Sequence, residues 1–184
     1  MKKKIIKLSL FFLILLSLTG CFLIPNLVAY VDFEVFTVGA TYNVGMSISE
    51  LGTTMNFEKY WWTPTTFTTG GNGEIKNMGQ AGHTGKDMWM NNINLRFGFK
   101  YPRSEISLYF GYYGGTINLY VNTSAPTPPV ITGDPMSLSG SYGVYNVNVV
   151  NFGSNKYKIV ISGQINSFAI GGQEFAIDHV VAKK

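Results

Sequence analysis

The sequence predicts an all-β domain, an antiparallel two-sheet β-sandwich of about ten strands in a jelly-roll arrangement. Apolar and polar residues alternate along several stretches, as they do in strands that have one face in a core. The composition is low in charge and includes 21 glycines among 184 residues, which favours turns and strands over helices. Short turn-forming pairs separate the alternating stretches, which indicates antiparallel neighbours rather than β-α-β units.

The first 21 residues differ from the rest of the chain. Lysines cluster at the start, the apolar run LSLFFLILLS follows, and the segment ends in Leu18-Thr19-Gly20-Cys21. This order resembles the signal peptide of a bacterial lipoprotein with its lipobox. The resemblance implies that residues 1–20 are removed and that Cys21 carries a diacylglycerol anchor. A short apolar tether over residues 21–29 would then lead into the β-sandwich domain, residues 30–184.

An uncleaved membrane segment is the alternative for the N-terminus. Residues 8–31 are almost entirely apolar and long enough to span a bilayer, with a kink at Pro25. Because the lysines remain on the cytoplasmic side in both cases, the domain is expected outside the cytoplasmic membrane, anchored in the bacterial cell envelope. Cys21 is the only cysteine, so none is left for a disulfide or a thiol nucleophile.

The net charge of +4 comes from the N-terminus. Four lysines lie in the first seven residues, and the rest of the chain has ten basic and ten acidic residues. The domain therefore has no net attraction for a polyanion, which argues against nucleic acid as a partner.

The elements are predicted from alternation and from turn-forming residues. The first half is expected to hold strands at residues 30–36, 41–48 and 53–62, followed by a glycine-rich surface loop at residues 70–86. Three further strands are expected at residues 92–99, 106–111 and 117–121, joined by turns at Pro102-Arg103 and Gly114-Gly115. The last part is expected to hold strands at residues 136–139, 145–151 and 157–162, and then a hairpin over residues 165–180 that turns at Gly171-Gly172.

Three segments carry a resemblance to a known fold family. VDFE near the start, FGYYGGTINLYVN in the middle and INSFAIGGQEFAIDHV at the end are similar to galactose-binding-like jelly rolls of bacterial secreted proteins and carbohydrate-binding modules. The resemblance covers most of residues 31–181. It implies a structural Ca²⁺ that joins the first and last strands, with Asp32 or Glu34 and Asp178 as ligands, since calcium prefers carboxylate oxygens. The alternative is that these acids are solvated or paired with nearby lysines.

Four aromatic residues are candidates for ligand binding: Tyr60, Trp61, Trp62 and Trp89. Flat aromatic faces stack on the C–H faces of sugar rings. Adjacent strand residues point to opposite faces, so at least one of Trp61 and Trp62 is expected to be exposed. The alternative is that Trp62 fills the core and Trp61 caps it.

A set of asparagines alternates with apolar strand residues. They are either a polar binding face or the ordinary solvated face of the sheet: Asn91, Asn92, Asn94, Asn118, Asn146 and Asn148.

The sequence gives little support for a catalytic function. His83 lies in the glycine-rich loop and His179 follows Asp178, but consecutive strand residues face opposite sides and form no dyad. No HExxH or GxSxG motif occurs. We therefore expect a lipid-anchored, non-enzymatic binding module with a carbohydrate as the favoured ligand. The alternative is a structural or protein-interaction component of the cell envelope.

Overall fold

The computed structural model describes residues 28–83, 85–123 and 129–184. Within these residues the chain is nearly all strand and has no α-helix, only one 3₁₀ turn at Pro135–Leu138. The predicted all-β class and the antiparallel pairing are confirmed. The predicted signal peptide and Cys21 lie outside the described residues, so the lipid anchor stays a prediction.

Twelve strands, rather than about ten, form one hydrogen-bonded network in the described part of the chain. The central order is β2-β6-β7-β12-β8-β4-β3, and the remaining strands pair alongside it. In chain order the strands are β1 (Val28–Val31), β2 (Thr41–Asn43), β3 (Ser47–Glu50), β4 (Thr53–Trp61), β5 (Phe67–Thr68), β6 (Asn72–Lys76), β7 (Asp87–Asn91), β8 (Ile93–Val121), β9 (Val130–Thr132), β10 (Gly140–Tyr142), β11 (Tyr145–Asn151) and β12 (Lys156–Lys183).

Strands β8 and β12 organise the molecule, with 29 and 28 residues respectively. Residues 93–98 and 117–121 of β8 pair with opposite edges of residues 167–172 in β12. In turn, residues 156–162 and 174–183 of β12 pair with opposite edges of residues 105–114 in β8. Because each strand pairs with two parts of the other, both must bend, and the sheet curls around a core.

The core is built from the inward faces of these two strands. Phe97 stacks on Phe168 with ring centroids 4.7 Å apart, and Phe110 stacks on Phe175 at 5.2 Å. All four rings are fully buried. The apolar positions that alternate through residues 93–110 supply most of this contact, as the sequence predicts.

The predicted turns within the two long strands are wrong. Pro102-Arg103, Gly114-Gly115 and Gly171-Gly172 all lie inside continuous strands and do not reverse the chain. At Gly171 a side chain would overlap the carbonyl oxygen of Ile93, so glycine allows a close strand approach at this position. The expected closing hairpin is therefore one strand that crosses the molecule.

Other predicted strand bounds in the first half also change. Strand β1 ends at Val31, because Phe33 adopts a left-handed φ of 62° and the chain turns there. A turn at residues 44–46 splits the predicted strand at residues 41–48 into β2 and β3. Strand β6 lies within the predicted glycine-rich loop, of which residues 70–71, 77–83 and 85–86 are described as connections.

The predicted strand at residues 136–139 is mostly the 3₁₀ turn. Asp134 caps this turn by accepting a hydrogen bond from the backbone N–H of Met136. Pro135 occupies the first position of this turn, where the fixed φ angle of proline suits the helical geometry. In contrast, β4 and β11 match the predicted strands to within one residue.

Two of the strand asparagines are not part of a solvated face. Asn94 and Asn118 are fully buried. Asn118 accepts from the backbone N–H of Trp61 at 2.8 Å and donates to its carbonyl oxygen at 2.9 Å. These side chains therefore complete the backbone pairing of β4 where the strand ladder lacks a partner.

Candidate functional site

A band of polar side chains crosses the outer face of the sheet at the C-terminal part of β12. Ile177 pairs with Met88, so Asp178 lies beside Asp87, the first residue of β7. On its other edge Asp178 pairs with Tyr109 of β8. Directly opposite residues of an antiparallel pair share a face, so these three side chains lie on the same side of the sheet. Both carboxylates are fully buried.

The loop between β6 and β7 buries these carboxylates. We call its described part, residues 77–83 and 85–86, the covering loop. Asp87 fixes it by accepting hydrogen bonds from the backbone N–H groups of Gln80 at 2.6 Å and Ala81 at 3.3 Å. Tyr113 of β8 donates to the carbonyl oxygen of Gln80 at 2.8 Å. The loop therefore lies across the sheet instead of projecting into solvent.

The covering loop brings a histidine onto Asp178. His83 Nδ1 lies 3.5 Å from Asp178 Oδ2, and the His83 ring stacks on the His179 ring with centroids 4.1 Å apart. Tyr30 of β1 completes the group, since its hydroxyl lies 3.0 Å from His179 Nδ1. We call Asp87, Asp178, His83 and His179 the acid–histidine cluster.

A β-bulge explains why two consecutive residues of β12 reach the same cluster. The pairing of β12 with β8 shifts between Asp178 and Val181, and His179 has a left-handed φ of 52°. The backbone N–H of His179 can therefore donate to Asp178 Oδ1 at 2.6 Å. The expectation that Asp178 and His179 point to opposite faces assumes a regular strand, and it fails at this bulge.

The chain segment after β1 holds the far end of the covering loop. Glu34 Oε1 accepts from the backbone N–H of Lys86 at 2.7 Å, and Lys86 Nζ donates to the carbonyl oxygens of Glu34 and Phe36. Gly85 has a φ of 102°, and a side chain there would overlap the Glu34 carboxylate. Glycine is therefore required at this contact.

Burial and mutual repulsion alter the acidity of the cluster. Burial, aided by the charges of Asp87, Asp32 and Glu34, raises the pKa of Asp178 to about 8. Burial also raises the pKa of Asp87, although its two backbone hydrogen bonds oppose this. The pKa of His179 is lowered, first by burial and then by His83 and Lys158. Near neutral pH the cluster therefore holds a protonated carboxyl beside a neutral imidazole.

A second buried acid, Glu50, lies close to the residues that follow β1. Burial raises the pKa of Glu50 to about 7, and its contact with Asp32 acts in the same direction. Glu50 Oε2 accepts from the backbone N–H of Phe33 at 3.2 Å. Glu50 thereby helps to hold the left-handed turn that carries Asp32 and Glu34.

The predicted calcium ligands come together only in part. Asp32 and Glu34 are near enough to raise the pKa of Asp178, as joining the first and last strands requires. However, Glu34 binds Lys86, and Asp32 accepts from the backbone N–H of Glu34 at 3.1 Å. In the described part of the chain no three side chains of His, Cys, Asp or Glu are grouped so as to hold a metal ion.

The predicted aromatic residues do not form one platform. Tyr60 is fully buried and donates to the carbonyl oxygen of Thr116, and Trp61 is 5% exposed. Trp62 is 37% exposed and meets Tyr60 edge-on. One of the adjacent tryptophans is therefore exposed, as the alternation predicts, but it is Trp61 and not Trp62 that is buried. Tyr60 and Trp61 present no ring face to solvent.

Trp89 lies at a different place, next to the covering loop. It is half-buried on β7, and its ring lies 5.5 Å from the ring of Tyr113, the residue that holds Gln80. Lys76 Nζ lies 4.9 Å from the centre of the Trp89 ring. Trp89 is two residues beyond Asp87, so it shares the outer face with the acid–histidine cluster.

Sequence reasoning missed the partners of Asp178. The local sequence shows His83 only as a residue of a glycine-rich loop and Asp87 only as the residue that follows this loop. Their meeting depends on where the covering loop lands, which no local pattern records. Gly79, Gly82 and Gly85 are the sequence feature that could have indicated a tightly folded loop. In the structure each of them has a positive φ.

Comparisons with known proteins gave no relative: no protein-family model, no curated protein and no solved structure matches the chain. Among the described residues no helix is long and apolar enough to cross a membrane.

Proposed function

We propose that this protein is a lipid-anchored, non-enzymatic binding module of the bacterial cell envelope, located outside the cytoplasmic membrane. Its ligand is a hydroxyl-rich molecule, with carbohydrate as the favoured class, bound on the outer sheet face beside the covering loop. The N-terminal lipobox supports the anchor. We include the galactose-binding-like jelly-roll fold in this proposal because of the sequence resemblance.

The observation that carries the binding site is the placement of Trp89. Its partly buried ring lies next to Tyr113 at a tilt of 36°, and Lys76 and Glu74 lie beside it on β6. An aromatic face bordered by charged hydrogen-bonding groups suits a sugar, whose C–H face stacks while its hydroxyls bind the polar rim. The partly exposed side chains of His83 and His179 add polar groups on the same sheet face.

Tryptophan fluorescence during titration with polysaccharides tests this proposal. We expect a saturable spectral shift in the unaltered protein and binding at least about tenfold weaker in Trp89→Ala, equal to ~1.4 kcal/mol. Trp62→Ala is the matched control, since it removes an exposed tryptophan away from the covering loop and should leave binding intact. A response that survives Trp89→Ala contradicts the proposed site.

A protein ligand is the second candidate, favoured by an exposed apolar strip. Val150 is exposed on β11, and Val144 and Phe152, which flank the strand, are exposed as well. If no glycan on an array binds while an envelope protein is captured by a crosslinker placed at Asn148, the interaction role replaces the carbohydrate role.

Calcium is a separate part of the proposal. The nearness of Asp32 and Glu34 to Asp178 supports it, and backbone carbonyls would have to complete the ligand set. Added calcium should raise the melting temperature of the unaltered protein, and the rise should vanish in Glu34→Ala and Asp178→Ala. A rise that persists in both variants rejects these ligands.

A further inference from the structure

The covering loop divides the outer sheet face into two parts. Gly111 of β8 lies beneath it, and a side chain at this position would overlap the carbonyl oxygen of Gln80. Tyr109 and Tyr113 lie two residues to either side of Gly111 and therefore share its face of the strand. Tyr113 donates to the same carbonyl oxygen at 2.8 Å and borders Trp89, so the Trp89 site occupies one side of the loop.

The other side of the loop carries a second group of rings. Phe152, which follows β11, is 60% exposed, and its ring lies 5.9 Å from the partly exposed ring of Tyr109. The rings of His83 and His179 lie 5.4 and 5.8 Å from that of Tyr109. We call Tyr109, Phe152, His83 and His179 the second platform. Contiguous exposed rings of this kind mark binding surfaces.

Polar groups border the second platform. Lys158 pairs with Tyr109, and its ammonium group lies 5.2 Å from the centre of the tyrosine ring. Val160 pairs with Ser107 of β8 and with Asn148 of β11, so these side chains form the next row of the same face. A lysine, a hydroxyl and an amide beside aromatic rings repeat the chemistry of the Trp89 site, where rings also stand next to hydrogen-bonding groups.

The two ring groups lie along one line across the strands. Trp89 pairs with Ala176, which pairs with Gly111, which pairs with Lys156, and the backbone N–H of Phe152 donates to the Lys156 carbonyl oxygen. Four strand spacings therefore separate Trp89 from Phe152, a distance of about 19 Å. Stacking surfaces this far apart suit a chain of several sugar rings better than a single terminal ring.

The covering loop leaves room for a chain to pass over it. Three of its residues, Gly79, Ala81 and Gly82, have no side chain beyond Cβ. A Cβ at Gly82 would lie 3.1 Å from Lys156 Cβ, so the loop backbone lies close against the sheet. The loop is therefore a low ridge between the two ring groups.

We propose that the ligand is an extended polysaccharide chain that stacks on Trp89 and, across the covering loop, on the second platform. One sugar ring stacks on Trp89 and another on Phe152 and Tyr109, while Lys158 and Ser107 bind hydroxyls. This inference rests on the proposed carbohydrate ligand at Trp89, and it adds that the protein recognises a run of sugar residues.

Binding of saccharides of two lengths tests this inference. Tryptophan fluorescence of the full-length protein is followed during titration with matched oligosaccharides of two and eight sugar residues from cellulose, chitin, xylan and β-1,3-glucan. We expect the longer member of one pair to bind at least about tenfold more tightly, since only it reaches both ring groups. Phe152→Ala should weaken the binding of the longer member at least about fivefold and leave that of the shorter unchanged.

Phe67→Ala is the matched control. Phe67 is 50% exposed on β5, where it packs against Trp61 and away from the covering loop, so its loss should change neither affinity. Equal binding of the two lengths, or an effect of Phe152→Ala on both lengths or on neither, overturns the inference, while binding that depends on Trp89 still upholds the proposed function. If no saccharide binds in a Trp89-dependent manner, the carbohydrate ligand is rejected and the inference with it. An envelope protein that crosslinks at Asn148 in the parent but not in Phe152→Ala would assign the second platform to a protein instead.

Discussion

At the scale of single residues, buried asparagines replace missing backbone partners. Asn118 binds both the N–H and the carbonyl oxygen of Trp61, and Asn94 donates to the carbonyl oxygen of Lys59 at 2.7 Å. The sequence shows these asparagines only as polar residues that alternate with apolar ones. That pattern cannot distinguish a solvated face from an outer face covered by other side chains, such as Trp61 and Tyr120.

We expect Asn118→Ala to lower the free energy of unfolding by about 1–3 kcal/mol, because it leaves two buried backbone groups of Trp61 without partners. Chemical denaturation measures this change. Asn148→Ala, which alters an exposed asparagine of β11, should stay within about 0.5 kcal/mol of the parent. Equal effects of the two substitutions would show that the Asn118 hydrogen bonds contribute nothing specific.

Asp178 makes stability depend on pH in an unusual direction for a carboxylate. Its folded-state pKa of about 8 lies above the unfolded value, so the folded protein holds a proton that the unfolded chain releases. Its contribution is therefore fully present below the unfolded pKa and is lost as the pH rises through about 8. Glu50, with a pKa of about 7, acts in the same direction.

We expect the unfolding free energy to fall between about pH 5 and pH 8, by up to about 1.4 kcal/mol per pH unit for one such group. Asp178→Asn should flatten this decline and be more stable than the parent at the alkaline end, since the neutral amide has no proton to lose. Glu174→Gln, an exposed carboxylate on the same strand, is the control and should leave the slope unchanged. A slope unaltered by Asp178→Asn contradicts the assignment.

At the scale of elements, alternation predicts strands but not what joins them. Residues 145–151 alternate cleanly and form β11 as predicted. Gly114-Gly115 and Gly171-Gly172 were predicted to be turns, because paired glycines favour reversal of the chain. In the structure these glycines allow bends and the close approach of neighbouring strands. A local sequence does not show whether a pair of glycines forms a turn or lies inside a bent strand.

The covering loop depends on the contact between Gly85 and Glu34. Gly85→Ala should detach this end of the loop, because the new methyl group overlaps the Glu34 carboxylate and a φ of 102° is strained for alanine. We expect faster amide exchange over residues 79–86 and a loss of stability of at least about 1 kcal/mol.

Gly45→Ala is the control that introduces backbone strain without a steric overlap. Gly45 has a φ of 91°, and a side chain there meets nothing within 4 Å. It carries a similar backbone penalty without the overlap, so it should be less destabilising and should leave exchange in the covering loop unchanged. Identical behaviour of the two variants would mean that Glu34 does not fix the loop.

In the molecule as a whole, two long strands form the centre of the sheet, and the shorter strands pair with them or with their neighbours. Strand β12 pairs with β1, β7, β8 and β11, and β8 adds β4 and β9. The sequence predicts the all-β class and much of the core, because inward residues follow the period of two. It does not predict the winding of β8 and β12, because that pairing joins residues far apart in the chain and depends on bends at glycines.

Gly171 lies at the centre of this winding, where β12 has segments of β8 on both sides. It pairs with Asn94 on one edge and Asn118 on the other, and a side chain would overlap both the Ile93 carbonyl oxygen and Asn94. Gly171→Ala must therefore push the two long strands apart. We expect a loss of at least about 2 kcal/mol, in the range of overpacked cores.

Gly98→Ala provides the comparison. Gly98 lies in β8 and pairs with Ser167 of β12, and a side chain there would approach only the Thr54 carbonyl oxygen, at 4.0 Å. It should change stability little. Because the long strands link the whole sheet, Gly171→Ala should lower the denaturation midpoint of fluorescence and far-UV circular dichroism together. Separate transitions would show instead that parts of the sheet unfold independently, so that β8 and β12 do not act as one cooperative frame.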